Sequence, residues 1–200
     1  MQIVNFGCGP FADPGCINID GSLTALIARI PLPAGLFAGK KRYIEGFRRG
    51  QVVYCRGSKL NFPANSLDGF YCSHVLEHIE RSEVIQMLPR IKRWLKPGAW
   101  IRIVLPDLRK LAESYVRRDA NADEFVKLTH LSTGGMSTTQ WKFGHSYHRW
   151  MYDADSFSEI LSAAGFTEVT QREFGKSADP HLAELDLPER AEGSLYLEGR

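Results

Sequence analysis

Apolar positions along the chain come in two alternating patterns. Short β-branched or apolar runs at Gln2–Phe6 (QIVNF), Ile17–Asp20 (INID), Gln51–Cys55 (QVVYC), Leu67–Cys72 (LDGFYC) and Trp100–Leu105 (WIRIVL) predict five strands. Two later runs, Thr167–Phe174 and Ser194–Glu198, predict two more. Helical spacing lies between them. Leu23–Ile30 reads as a short amphipathic helix stopped by Pro31-Leu32-Pro33. From an N-cap at Ser82 to about Leu95, the residues Val84, Leu88, Ile91 and Leu95 share one face, and Pro89 should kink that helix. Lys96-Pro97-Gly98 stops it. A last helix, capped by Asp153 or Asp155, turns Phe157, Ile160, Leu161 and Ala164 inward and closes at Gly165.

Five strands joined through crossovers, followed by two strands separated by a loop, predict an open α/β sheet: Rossmann-like, doubly wound and mostly parallel. Its seven strands end in an antiparallel pair. No repeat and no second domain is visible over residues 1–200. Residues 22–50, Gly/Pro-rich and basic, and 108–152, with a helix or two and then a Gly-, His- and aromatic-rich stretch, read as insertions. Ligands of such sheets bind beyond the carboxyl ends of the strands. That rim holds Gly7–Gly9, Asp20, Cys55–Arg56, Cys72–His74 and Pro106–Asp107.

Composition narrows the class without deciding it. The net charge of +2 is too near neutral to argue for nucleic acid. No stretch has the length of a membrane span, and the N-terminus runs straight into a strand, leaving no room for a signal peptide. Cys8, Cys16, Cys55 and Cys72 form no C-x-x-C pair, so a reduced, cytoplasmic chain is the simpler reading. Charge is uneven: residues 22–50 carry six basic groups, from Arg29 to Arg49, against Glu45 alone. A solvated face explains this, as does a basic 29–49 rim touching an anionic substrate or a membrane surface.

The chemistry begins at VNFGCGPFADPGCINID, residues 4–20. Glycines after a strand and an acid ending the next suggest a nucleotide cradle. A dinucleotide needs a full helix after the glycines to hold its pyrophosphate. Only ten residues separate Phe6 from Ile17, Pro10 and Pro14 among them, and Asp20 follows Gly7 by thirteen rather than about twenty. S-adenosylmethionine has no phosphate and needs no such helix. It needs backbone close to its methionine and ribose, and an acid for the ribose hydroxyls, which Gly7, Gly9 and Asp20 supply.

VNFGCGP…GCINID, LNFPANSLDGFYCSHVLEHI and RWLKPGAWIRIVLPDL, with the later HRWMYD, AAGF and SLYLEG, resemble the ordered motifs of class I S-adenosylmethionine-dependent methyltransferases. More narrowly, the chain is similar to the small bacterial predicted methyltransferases related to the type 11 family, often associated with surface-polysaccharide or lipopolysaccharide gene clusters. The resemblance implies that Gly7, Cys8 and Gly9 line the methionine and Asp20 holds the ribose diol. It also implies that Leu60 and Phe62 lie near the adenine and that Cys72, Ser73 and His74 form the loop after strand four. The family's aspartate after strand three is replaced by Cys55-Arg56-Gly57-Ser58, and Asn61 stands for the usual proline, so either a backbone carbonyl or Ser58 substitutes at the adenine or affinity is weak; Arg56 is a further cofactor-binding candidate.

His74-Val-Leu-Glu77-His78 matches H-x-x-E-H, an inverted zinc-peptidase motif. The motif needs a third ligand that the sequence does not place, and the methyltransferase context already explains the stretch, so no metal is expected. His74, His145 and His148 are the candidate general bases. Alignment alone promotes methyl transfer strongly, which makes a base optional. Trp141, Phe143 and Trp150 are aromatic candidates for stacking on an acceptor. The expected function is methyl transfer to a small-molecule or glycan-like acceptor, at oxygen, with residues 22–50 and 108–152 on the acceptor side. The alternative is a non-catalytic binding protein of the same fold.

Overall fold

The computed structural model describes residues 1–30, 41–49, 52–130 and 147–200. Its strands are β1 (Ile3–Phe6), β2 (Cys16–Asp20), β3 (Val53–Tyr54), β4 (Leu67–Ser73), β5 (Leu95–Pro106), β6 (Thr170–Arg172) and β7 (Ser194–Gly199). They form one sheet in the order β3-β2-β1-β4-β5-β7-β6. β1 to β5 pair in parallel, whereas β7 runs antiparallel to both β5 and β6. The chain winds outward from β1 to β3, returns, and continues from β4 on the other side of β1. The crevice beyond Phe6 and Ser73 is therefore the point where strand order reverses, the usual ligand position in such sheets.

Alternation along the strands builds two cores. Val4, Phe6, Phe70, Cys72, Ile103 and Leu197 face one layer, where α3 (Arg81–Trp94) and α6 (Ala154–Ala163) add Val84, Leu88, Ile91, Trp94, Phe157 and Leu161. Ile3, Tyr71, Val104 and Tyr196 face the other, under Leu182 of the short α7 (Pro180–Ala183). Pro89 lies inside α3 and costs about 3 kcal/mol in a helix interior. Several fully buried side chains on the same helix, each contributing about 1.5–3 kcal/mol, outweigh it.

Several sequence expectations shift. α3 starts at Arg81, so Ser82 is not its cap; Glu80 holds that place with extended backbone and no side-chain cap bond. Leu95 pairs with Leu67 and already belongs to β5, and Lys96–Gly98 form an irregular stretch within that strand, with Gly98 at φ +81°. The predicted strand over 167–174 shortens to β6, preceded by Glu168 at φ +50°. The cap at Asp153 is as predicted: its side chain accepts the Ser156 N–H at 2.9 Å, and Ser156 reciprocates. No helix lies between β1 and β2. Residues 22–30 give α1 (Leu23–Ala28), which packs against α2 (Lys41–Arg49) through Ala25, Ala28, Ile44 and Phe47. Residues 108–130 hold α4 (Leu108–Val116) and α5 (Ala122–His130). Among the described residues no helix is long and apolar enough to cross a membrane.

On the second face, the guanidinium of Arg102 is buried with two carboxylates. Its Nε and Nη2 donate to Asp186 at 2.9 and 2.6 Å, and Nη1 donates to Glu198 at 2.7 Å. Further donations to the carbonyls of Glu173 and Lys176 tie the 173–190 segment onto β5 and β7.

Candidate active site

The residues after β1 turn sharply because Ile19 O accepts two successive N–H groups, from Gly7 at 2.7 Å and Cys8 at 3.2 Å. Gly7 sits at φ +71°, and a Cβ there would collide with Val75 Cγ2. Glycine is thus required twice, by backbone conformation and by the close approach of the loop after β4. Asp20, 6% exposed, ends β2 and bridges the neighbouring loops: Oδ2 accepts Gly9 N–H at 3.0 Å and Oδ1 accepts Ser22 N–H at 2.8 Å. Each oxygen keeps a second lone pair for a ligand hydroxyl. Gly21 is pressed against β3's exit, where a Cβ would meet Cys55 O at 2.9 Å.

A cavity of about 690 Å³ opens on this rim. It is lined by Phe6, Gly7, Asp20, Gly21 and Ser22, and by Cys55, Arg56 and Gly57. His74, Val75, His78 and Ile79 continue it, and Glu80, Glu83, Gln86, Met87, Arg90 and Arg149 complete it. Of the residues singled out in the sequence, Gly7, Asp20, Arg56 and His74 converge here. Cys8 is buried beneath the loop, and its burial, reinforced by Asp20, pushes the thiol up to about 12. Gly9 acts through its N–H on Asp20. Leu60 and Phe62 pack into the core, Phe62 edge-on to Trp94 with ring centroids 5.5 Å apart, and Cys72 is 0% exposed. Ser73 is buried and accepts from the Arg190 guanidinium through its carbonyl at 3.0 Å.

The α3 wall was missed by sequence reasoning. Glu83, Gln86, Met87 and Arg90 are spaced three and four apart, so they form one stripe beside the buried face, and that spacing was readable. Arg149 was passed over beside His148; here it reaches the cavity and pairs with Glu80.

The H-x-x-E-H stretch is not a regular helix. His74 takes φ +54°, and only Leu76–His78 form a single 3-10 turn. His74 Nε2 lies 2.8 Å from Ser194 Oγ and its Nδ1 3.5 Å from Glu77 Oε1. Burial, aided by Arg190 and the neighbouring imidazoles, drives its pKa down to about 3. His148, brought in from beyond α5, stands with its ring 5.1 Å from that of His78, and burial lowers its pKa to about 4. With pKa values this low, both rings are neutral at pH 7 and weak proton acceptors. His145, Trp141, Phe143 and Lys40 lie outside the described residues, as does Ser58's side chain. Within the basic segment, Arg48 is committed to the carbonyls of Ala28 and Ile30, joining α1 to α2. Trp150 packs under the Arg81 guanidinium, 5.4 Å from its ring centroid.

A doubly wound sheet with this strand order, a helix-free glycine turn and a carboxylate at the end of β2 defines the class I, S-adenosylmethionine-dependent methyltransferases. Residues 16–171 match the family model described as a methyltransferase domain, and the chain belongs to that family. It is 26% identical over 208 residues to a trans-aconitate 2-methyltransferase of Methylobacterium nodulans, covering 96% of this chain and 73% of the relative. Its fold is similar to an S-adenosylmethionine-dependent methyltransferase of Mesorhizobium loti (TM-score 0.55, 17% identity, 100% and 90% of the two chains). It is also similar to one of Thermotoga maritima, described as a possible histamine N-methyltransferase (TM-score 0.56, 15% identity, 99% and 81%). The chain is accordingly a methyltransferase of the type 11-like group, and S-adenosylmethionine is its cofactor. The site fits that group: Asp20 offers diol acceptors beside the Gly7 turn, and no helix between β1 and β2 is needed to hold a phosphate. When bound, the cofactor supplies an electrophilic sulfonium methyl.

Proposed function

We propose that the enzyme methylates an oxygen of a small, polar acceptor, a hydroxyl of a glycan-like molecule such as those of surface-polysaccharide biosynthesis. One observation carries the reading: a single cavity is lined both by Gly7 and Asp20, suited to the donor, and by His74, His78 and Arg149. The donor end would take Asp20 to the ribose, with Arg56 and Gly57 beside the adenine in place of the missing aspartate. At His74, His78 and Arg149, imidazoles and a guanidinium offer hydrogen bonds to a polar acceptor. Held in line, the acceptor hydroxyl would take the methyl group, leaving S-adenosylhomocysteine and releasing its proton to solvent water, and positioning would supply most of the rate. The insertions at 22–50 and 108–152 would border the acceptor end, since the 147–150 segment already packs against Glu77 there.

A second reading, methylation of a small carboxylic acid, is favoured by Arg149 at the cavity wall and by the similarity to a trans-aconitate methyltransferase. Release of S-adenosylhomocysteine from a panel of sugars, nucleotide sugars and small di- and tricarboxylates separates the two. Turnover with the sugars supports the hydroxyl reading; turnover with the acids alone replaces it.

A further inference from the structure

Behind the His78 wall lies a cluster that methyl transfer as described does not use. Glu77 is 1% exposed, yet neither carboxylate oxygen has a hydrogen-bond partner. The Nδ1 of His148 is likewise buried without a partner. One ligand atom each from Glu77, His78 and His148 lies within 4.8 Å of the other two. We propose that these three side chains bind a divalent transition-metal ion, of which zinc is the fitting probe, at the acceptor end of the cavity. The binding site stands on the cluster alone; only its nearness to the acceptor rests on the methyl-transfer reading.

Chemistry and second-shell order both favour a cation here. One carboxylate with two imidazoles is a ligand set for zinc and its neighbours rather than for magnesium or calcium. His78 Nδ1 lies 3.0 Å from Tyr147 O, a carbonyl that can only accept, so Nδ1 carries the proton. In the neutral ring the lone pair is then on Nε2, 3.8 Å from Glu77 Oε1. A backbone carbonyl that fixes the tautomer in this way is the usual outer-shell support of a ligating histidine.

The remote ligand is also held in place. His148 N–H donates to His130 O at 3.1 Å, and Arg149 N–H donates to Glu77 O at 2.6 Å, so main-chain bonds on both sides clamp residue 148 beside residue 77. Ligand atoms around tetrahedral zinc are about 3.4 Å apart, which side-chain rotation from the present spacing reaches. A proton on Glu77 would give one oxygen a role and leave the other oxygen and His148 Nδ1 unpartnered; a cation serves all three. The pairing differs from that read out of H-x-x-E-H. His74 is not among the three, and the third ligand, His148, comes from beyond α5.

The test is calorimetric titration of chelator-stripped protein with zinc chloride, without cofactor, for the wild type, His148→Ala and Glu77→Gln. Thermal melts and S-adenosylhomocysteine binding of each variant serve as controls for folding. The wild type should take one equivalent and melt higher with zinc. Each variant should lose more than about 100-fold in affinity, since even outer-shell partners cost about 10–100-fold, while cofactor binding persists. If Glu77→Gln fails to fold, His148→Ala decides alone. No zinc uptake by the wild type, or undiminished uptake by a folded His148→Ala, overturns the site. Neither result bears on cofactor binding, which the Asp20 end decides separately.

Discussion

Asp20 accepts the backbone N–H of Gly9 at 3.0 Å, so the acid that ends β2 and the glycine turn after β1 form one rigid unit. The turn is equally constrained from the other side, where Gly7 leaves no room for a Cβ against Val75. Gly7→Ala should therefore misplace the loop, weakening S-adenosylhomocysteine binding at least tenfold while the far-ultraviolet circular dichroism stays unchanged. Val75→Ala in the same chain should recover part of the affinity by opening space, although the positive φ remains costly. Binding by Gly7→Ala equal to the wild type would contradict this account of the turn.

Arg102 is 0% exposed and satisfied by two carboxylates and two carbonyls. Breaking such a cluster from one side leaves buried charges uncompensated and costs about 3–5 kcal/mol. Arg102→Ala should lower the melting temperature by roughly 6–20 °C for a chain of this size. A melt within about 2 °C of the wild type would mean the cluster contributes little.

Hydrogen bonds from Ser156, chiefly its backbone N–H, hold the Asp153 carboxyl below its ordinary pKa. A folded-state pKa below the unfolded one stabilises the fold at pH values above the unfolded pKa, and the stabilisation is lost as pH falls through the folded value. Asp153→Ala should cost about 1 kcal/mol at pH 7. That penalty should shrink as the pH is taken below about 4. Melts of both proteins across that range check it; a constant difference would remove the ionised cap from the explanation.

Burial raises the thiol pKa of Cys8 to about 12 and that of Cys16 to about 11, and drives that of Cys72 well upward. Thiolate is the reactive form, so these three should label slowly with a disulfide reagent at pH 8 in the folded protein and promptly after denaturation. Fast native labelling of Cys8 or Cys72 would show that the loop or core opens.

Much of this fold is legible in the chain because its signals are local. Period-two runs such as IVNF and WIRIVL, the Asp153 cap and the short Phe6–Ile17 spacing each act within a few residues. They led to the parallel sheet and to Gly7 and Asp20 at one rim. What was not legible depends on distant pairing. Arg102 is one charge within the WIRIVL strand, and its partners Asp186 and Glu198 follow 84 and 96 residues later. Glu77 and His78 acquired His148 only once the chain beyond α5 folded back. Ser82 misled because the helix cap falls at Glu80, two residues earlier, and the helix begins at Arg81.

The central claim is that the cavity between Gly7 and Asp20 holds the methyl donor. Calorimetry with S-adenosylmethionine and S-adenosylhomocysteine, on the wild type and Asp20→Ala, tests it most directly. The account predicts binding by the wild type and a loss of roughly tenfold to several hundredfold in Asp20→Ala, the worth of a hydrogen bond or two to a charged group. No binding by the wild type at millimolar ligand, or equal binding by Asp20→Ala, would contradict it.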